Sequence, residues 1–592
     1  MVIGCVSGAD RFRRHEGDRL GLASDLVMYG RFGIGLRKFL REPITLEQAR
    51  ATVLHRLQER DKNLLRVVKR GIFGYSRSPY LHLLRAAGIE FGDIEKMVGR
   101  SGVEGTLRTL REAGVYFTFE EFKGREPVVR GGKTLPIRPR DFDNPYLRSA
   151  YYGETGGSTG AGTRVYHDLD SMAERIPLTI LGHEAHGTLG VPRGIWRGVL
   201  PNIVGLNNLL GGAKMGNVPR RWFSSVMGSD RKVPLKYRLA TEYVLGMGQV
   251  YGFKFPRPEP VRLDEAGIIA RWMAQTIRTD GACYMGAFAS MALRIAVAAL
   301  EEGIDLTGGI FSGGGEPPTP AKVETIRKTG ARVIPTYHFS EAGPIGLACA
   351  NPIDCNDHHL MRDHLALIQH SRKVPSADVQ VDAFLITTLL PSAAKILLNV
   401  ESDDYGTIEK RSCGCLWEKY GFPDHVRNIR SFRKLSGEGM TLVGSEMERI
   451  LQQDLPRRFG GSALDYQLLE EEDARGFTRM SIIVSPRVEI QEEQQVIDAV
   501  LDGLSRGSEG ADGARATWSQ AKSFQVRRME PIWTARGKLM PLHLAKQKMS
   551  VARDADESGG GAEDLASDTM DDADGDAPHL APNSERVRGK NP

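Results

Sequence analysis

Between residues 146 and 432, short apolar runs alternate with helical stretches, and this alternation restricts the fold more than any other feature of the chain. Gly309-Ile310-Phe311-Ser312 reads as a strand, 319–329 as a helix and Ala331-Arg332-Val333-Ile334-Pro335-Thr336 as the next strand. Strands that return through helices build an α/β layer around a large sheet. The flanks read differently. Residues 1–145 are mainly helical in pattern, with amphipathic stretches at 46–60 and 103–113, a strand-like run at 115–119 and a turn-rich break at 124–132. From about 436 the pattern becomes compact: a strand at 440–443, a helix at 445–453, strands at 465–470 and 480–484, a helix at 492–504 and a strand at 524–528. The expected organisation is a helical N-terminal region (1–145) packed on a large α/β domain (146–432), a small mobile α+β domain (433–545) and a tail (550–592).

Composition narrows the partners. The tail is acidic as far as Asp576, then basic at Arg586, Arg588 and Lys590, with almost no aromatics, so it is expected to be disordered. Without it the body is mildly basic. No aromatic–basic interleaving or nucleic-acid motif accompanies that basicity, and polyanionic small substrates account for it equally well, so no nucleic-acid partner is expected. The N-terminus lacks an export signal, and the most apolar stretch, 282–300, is interrupted by Arg294. The reading is a cytoplasmic protein with no membrane partner, its oligomeric state open and a dimer included.

One loop suggests chemistry. Thr155-Gly156-Gly157-Ser158-Thr159-Gly160-Ala161-Gly162-Thr163-Arg164 holds four glycines and four hydroxyl residues in ten positions. Bare N–H groups and short hydroxyls suit an anion, although a Gly/Ser surface loop looks the same. It lacks the Gly-Lys-Ser/Thr ending of a P-loop. Five further segments follow in order: Gly315-Glu316-Pro317 after a strand, Tyr337-His338-Phe339-Ser340-Glu341 after the next strand, Asp403-Asp404-Tyr405-Gly406, Arg430-Ser431-Phe432-Arg433-Lys434, and Arg536-Gly537-Lys538. Each is also an ordinary turn or linker when taken alone. An aromatic, a hydroxyl and a carboxylate at the carboxyl end of a sheet strand suit ring stacking, phosphate contact and Mg²⁺.

In this order the segments resemble the adenylate-forming superfamily of acyl-CoA synthetases, most closely its phenylacetate-CoA ligase branch, over about residues 145–543. The resemblance implies the fold stated above and an ATP-dependent ligase. Such an enzyme forms an acyl-adenylate and passes the acyl group to CoA, or in related enzymes to an amine, a carrier protein or a protein side chain. It implies that Ser158, Thr159 and Gly160 hold phosphates, with Thr163 where relatives carry a lysine. Gly315, Glu316 and Pro317 would line the adenine and Tyr337 would stack on it. Ser340 would contact the α-phosphate, Glu341 would bind Mg²⁺, Asp404 would grip the ribose with Arg430 assisting, and Lys538 would bridge carboxylate and α-phosphate. Departures are His338 in place of glycine, Asp403 in place of glycine, and the Arg-Ser-Phe-Arg-Lys hinge. A catalytically silent scaffold is the rival from another class, against which the retained Glu341 and Lys538 speak.

Four of the six cysteines, Cys349, Cys355, Cys413 and Cys415, lie in two clusters. Two thiolates one residue apart, with a distant Cys and His, complete a tetrahedral Zn²⁺ site. The family pattern of a Cys after the Tyr-x-x-Ser-Glu segment, then His, then Cys-x-Cys implies Cys349, His359, Cys413 and Cys415, with Cys355 and His358 as close rivals. His183-Glu184-Ala185-His186 has the wrong spacing for a metalloprotease helix.

Overall fold

The computed structural model describes residue 30 and residues 32–147, 150–154, 164–200, 202–225, 235–316, 318–373, 380–431, 434–437, 440–443, 447, 449–473, 475–504, 515, 517–533 and 542–544. All of them belong to one unit, Met1–Ala545; the second unit, Lys546–Pro592, contains the tail and lies outside the described residues.

Among the described residues, twelve strands form one sheet. In chain order they are β1 (Arg193–Trp196), β2 (Arg221–Ser224), β3 (Pro258–Pro260), β4 (Cys283–Gly286), β5 (Gly309–Gly313), β6 (Arg332–Phe339), β7 (Gly343–Ala348), β8 (His358–Leu360), β9 (Leu365–Lys373), β10 (Gln380–Thr388), β11 (Val400–Lys410) and β12 (Asp424–Ser431). Their spatial order is β9-β10-β11-β12-β8-β7-β6-β5-β4-β1-β2-β3. The six strands from β6 to β3 are parallel, and every other pairing is antiparallel. The predicted α/β layer is therefore half of the sheet. β6 is the seam, parallel to β5 on one side and antiparallel to β7 on the other.

The parallel half is covered on both faces, which is why β1 and β4 are buried along their length. Helices Gly267–Asp280 and Ala289–Glu301 supply Ile269, Met273, Leu293, Ile295 and Ala296 to the buried layers. On the opposite side Ile195 packs with Leu206 and Leu209 of helix Val204–Lys214. The antiparallel half packs against the N-terminal helices. Phe142 stands edge-on to Phe117 at 4.9 Å and to Phe122 at 5.0 Å, within a cluster that includes Phe384 and Val400. Asn399, at φ +52°, donates through Nδ2 to Leu107 O (2.8 Å) and Val115 O (3.2 Å), which ties helix Phe91–Glu112 to this half.

One local expectation is corrected. The apolar run 115–119 contributes a single bridge, Phe117 to Val400, and then becomes helix Phe119–Lys123. Thr118 accepts from Glu121 N while Glu121 accepts from Thr118 N, and this reciprocal cap overrides the β-type composition.

The C-terminal region carries its own sheet of β13 (Tyr466–Glu472), β14 (Thr478–Val484), β15 (Phe524–Arg528) and β16 (Leu542–Leu544), in the order β15-β14-β13-β16. Helix Glu493–Leu504 covers it through Val496, Val500 and Leu504, in a core that also holds Tyr466, Ile482 and Trp518. Among the described residues no helix is long and apolar enough to cross a membrane.

Candidate active site and cysteine–histidine cluster

Parallel strands deliver their next residues to one edge. At this edge the chain order splits between β1 and β4, the position where open α/β sheets form a ligand crevice. Arg197, just after β1, lies 4.2 Å from the ring centre of Phe288, just after β4. Burial pushes the Arg197 guanidinium down to about 10. The glycine run after β5 and the Tyr337–Glu341 segment at the end of β6 reach the same edge.

The glycine run has a packing cause. A Cβ on Gly313 would fall 1.8 Å from Ala287 O, and one on Gly314 would fall 2.3 Å from Thr336 O. Neighbouring strands, rather than a ligand alone, require these two glycines. Gly315 is exposed at φ +97°. Glu316 turns inward: it accepts from Ser290 N (2.8 Å) and Ser290 Oγ (2.5 Å), and Lys322 Nζ lies 3.6 Å away. Its carboxylate therefore anchors the segment, and any adenine contact falls to the backbone. Lys322 Nζ also donates to Thr478 Oγ1 of β14 at 3.1 Å, joining this segment to the C-terminal sheet.

Tyr337 and Asp404 meet. The Tyr337 hydroxyl donates to Asp404 Oδ2 at 2.9 Å, and Ser431 Oγ donates to Asp404 Oδ1 at 2.5 Å. Arg430, expected beside the ribose, lies in β12. It is exposed and in register with Tyr405, whereas Ser431 is in register with Asp404, and side chains alternate across a strand pair. Ser340 is exposed in the turn between β6 and β7. Glu341, beside it, is buried and ion-paired with Lys123 of helix Phe119–Lys123. Burial alone would raise the Glu341 carboxyl, but the Lys123 ammonium outweighs it and holds the group below its ordinary value. Lys123 carried no sequence signal, because its partner comes from a region 218 residues away in the chain.

His338, at the end of β6, keeps solvent access while packed neighbours strip part of its hydration. That desolvation, with Arg175 and Arg197 nearby, pushes its imidazole down to about 4, so it is neutral at physiological pH. Ser158, Thr159, Gly160, Thr163, Pro317 and Lys538 lie outside the described residues.

The cysteine expectation converges on one place. Cys413 Sγ and Cys415 Sγ lie 3.5 and 3.1 Å from His359 Nε2. Cys349, His359, Cys413 and His425 each offer a donor atom within 4.8 Å of the others. His359 donates through Nδ1 to Phe422 O (2.7 Å), which leaves the Nε2 lone pair towards the thiols. Cys349 donates to Cys415, which holds the Cys415 thiol far below its ordinary value and pushes Cys349 up. The rivals are elsewhere: Cys355 Sγ donates to Pro318 O, and His358 projects from the opposite face of β8 to bond Asn356 O.

His425 was not legible as a member. It lies directly across from His359, with ring centres 4.0 Å apart. Its Nδ1 is held by Asp357 Oδ1 at 2.6 Å, and its buried Nε2 has no hydrogen-bond partner among the described residues. A carboxylate on one nitrogen and a bare second nitrogen is the arrangement of a metal-ligating imidazole. The His183-Glu184-Ala185-His186 segment is accounted for locally. His183 Nδ1 bonds Thr188 Oγ1, His186 Nε2 donates to Ala348 O, and Glu184 pairs with Arg50 and Tyr420.

No family model and no curated protein matches the chain. Among solved structures, a 2-hydroxyisobutyryl-CoA ligase in complex with 2-HIB-AMP and CoA is similar at 14% identity, over 85% of this chain and 91% of that chain, with a TM-score of 0.46. The amide bond synthetase McbA from Marinactinospora thermotolerans is similar at 14% identity over 78% and 91% of the two chains, with a TM-score of 0.38. The anthranilate CoA ligase AuaEII in complex with anthranoyl-AMP follows at 11% identity over 66% of each chain, with a TM-score of 0.32.

Proposed function

We propose that this chain activates a carboxylic acid with ATP as an acyl-adenylate and then passes the acyl group to CoA, in the manner of phenylacetate-CoA ligases. The observation that carries the reading is the meeting of Tyr337 with Asp404 at the carboxyl edge of the parallel strands. Two segments 67 residues apart, assigned by motif order to adenine and ribose, touch directly. A surface loop and an unrelated turn have no reason to do so.

Adenylation brings two anions together, so positioning and charge neutralisation dominate its catalysis. Glu341, buried and ionised, fits a hard cation such as Mg²⁺. Lys123 is its present counter-charge, and a metal there would take over that role. Lys538 is assigned to the bridge between carboxylate and α-phosphate, and Ser158, Thr159 and Gly160 to the departing pyrophosphate. The small C-terminal domain, hinged near Arg433 and Lys434, would bring Lys538 in and remove it afterwards. CoA as acceptor rests on the motif resemblance; an amine or a carrier thiol is the alternative.

Cys349, His359, Cys413 and Cys415 would hold one structural Zn²⁺, with His425 placed to replace one thiol. Bound there, the ion would fasten β7 and β8 to the 411–415 segment, which follows the strand carrying Asp404.

Carboxylate-dependent exchange of pyrophosphate into ATP over an acid panel tests the reading, with Lys538→Ala as the control. Exchange that requires an acid and is lost in Lys538→Ala is expected. No exchange with any acid would favour a silent scaffold. Adding CoA to an active acid then separates thioester formation from the other acceptors.

A further inference from the structure

Beside Tyr337, His338 opens onto a cavity of about 250 Å³. Arg175 and Thr179 of helix Leu169–Ala185, Asn207 and Asn208 of helix Val204–Lys214, and Arg193 of β1 contribute to its wall. Among the described residues no Asp or Glu lines it. The wall thus sets two arginines and two asparagines among apolar residues such as Met172, Ile176 and Met215, with the His338 imidazole neutral.

Arg193 is the unusual member. It is 5% exposed, and its Nε and Nη1 have no hydrogen-bond partner among the described residues. Its guanidinium lies 5.2 Å from the Tyr284 ring centre, a weak substitute for a counter-ion. Burying a charge without a partner costs several kcal/mol, and such a charge is tolerated where a ligand supplies its partner. Nearby His183 does not supply it, since burial and Arg193 itself push that imidazole down to about 3.

Register places Arg193 far from the nucleotide end. Arg193 is level with Tyr284 of β4, Tyr284 with Ile310 of β5, and Ile310 with Arg332 of β6. His338 stands six residues further along the same direction, roughly 20 Å at the usual strand rise. Even a fully extended arginine leaves a gap of several atoms between the two ends. Arg175 belongs to the His338 end, being among the cations that act on that imidazole.

We infer that this cavity takes the acyl part of the substrate and selects an acid with a second anionic group, bound at Arg193, as in an α,ω-dicarboxylate or a carboxy-aryl acid. The inference rests on the adenylation reading for the reacting carboxylate. It does not need that reading for the anion at Arg193.

The test compares matched pairs in the exchange reaction with the full chain: hexanoate with adipate, octanoate with suberate, and benzoate with terephthalate. At least one dicarboxylate should exceed its monocarboxylate by about tenfold or more in kcat/KM, the scale of a buried charge-paired hydrogen bond. In Arg193→Met and Arg193→Gln that ratio should fall to about one or below. Preference for the monocarboxylate in every wild-type pair overturns the inference, and it needs no variant to fold. An equal loss for both members of each pair in the variants also overturns it, since Arg193 would then hold the reacting carboxylate. Calorimetry with suberate alone separates the two readings. Should no acid support exchange, suberate binding to the wild type but not to Arg193→Gln would sustain the anion pocket without adenylation, and absent binding would end it.

Discussion

The Tyr337 hydroxyl and Asp404 Oδ2 lie 2.9 Å apart, although β7, β8 and β12 stand between their strands in the sheet. Strands spaced about 4.8 Å apart would hold these residues too far apart in a flat sheet. The contact therefore requires the antiparallel half to curl back over the carboxyl end of β6. It closes one side of the crevice, and it joins the segments assigned to the two halves of a nucleoside.

Replacing Tyr337 with Phe removes that donor, while Ser431 still donates to Asp404. A buried carboxylate short of one donor should lower stability by about 1–3 kcal/mol, measured by urea unfolding. An unchanged midpoint would show that Asp404 readily finds another partner.

Lys123 and Glu341 form the second test. Removing one partner of a buried ion pair costs about 3–5 kcal/mol, because the other charge is left uncompensated. Lys123→Met should therefore be strongly destabilised, and the double variant Lys123→Met/Glu341→Gln should recover most of the loss. If Glu341 holds Mg²⁺, millimolar Mg²⁺ should raise the melting temperature of Lys123→Met more than that of the wild type. Equal responses would remove Glu341 from the metal assignment.

Metal content tests the thiol–imidazole cluster. Purified protein should carry close to one zinc per chain, and His359→Ala and Cys413→Ser should each lose most of it. His425→Ala distinguishes the two ligand sets: retained zinc leaves Cys349, Cys413, Cys415 and His359 as ligands, whereas lost zinc brings His425 in. Zinc-free wild-type protein that is fully folded would dismiss the site.

The Glu470 carboxyl on β13 is pushed up to about 7, by burial first and then by Glu316 and Glu472, against the opposing effect of Lys322. Its folded-state value lies above the unfolded one, so the folded state binds the extra proton between about 4.5 and 7. Stability should fall as pH rises through that window and change no further on this account above it. Glu470→Gln should flatten the fall and stabilise the protein at pH 8 by on the order of 1–3 kcal/mol. A wild-type pH profile identical to that of the variant would show that the group titrates normally.

Several elements could be read directly because their signals are local. The strands beginning at Gly309 and Arg332 and the helix between them declare themselves through short-range apolar pattern and turn chemistry, and the C-terminal strands do the same. The Cys-x-Cys spacing and the order of the motifs are likewise properties of the chain as written. Where the local signal was composition alone it failed: 115–119 looks like a strand, yet only Phe117 bridges, and the reciprocal cap of Thr118 and Glu121 starts a helix at Phe119. Which of Arg430 and Ser431 stands level with Asp404 was not legible either, since one position along a strand decides which face a side chain takes.

Sequence alone thus determined the α/β alternation, the order of the motifs and the Cys-x-Cys spacing, which can be read along the chain without knowing which distant residues meet. Tertiary structure decided the rest. The antiparallel curl brings Asp404 to Tyr337, helix docking brings Lys123 to Glu341, cross-strand register sets His425 beside His359, and burial leaves Arg193 without a counter-ion among the described residues. Each of these depends on residues distant in the chain meeting in space. Charge compensation in a buried site is settled by such encounters, and one-dimensional spacing carries no record of them.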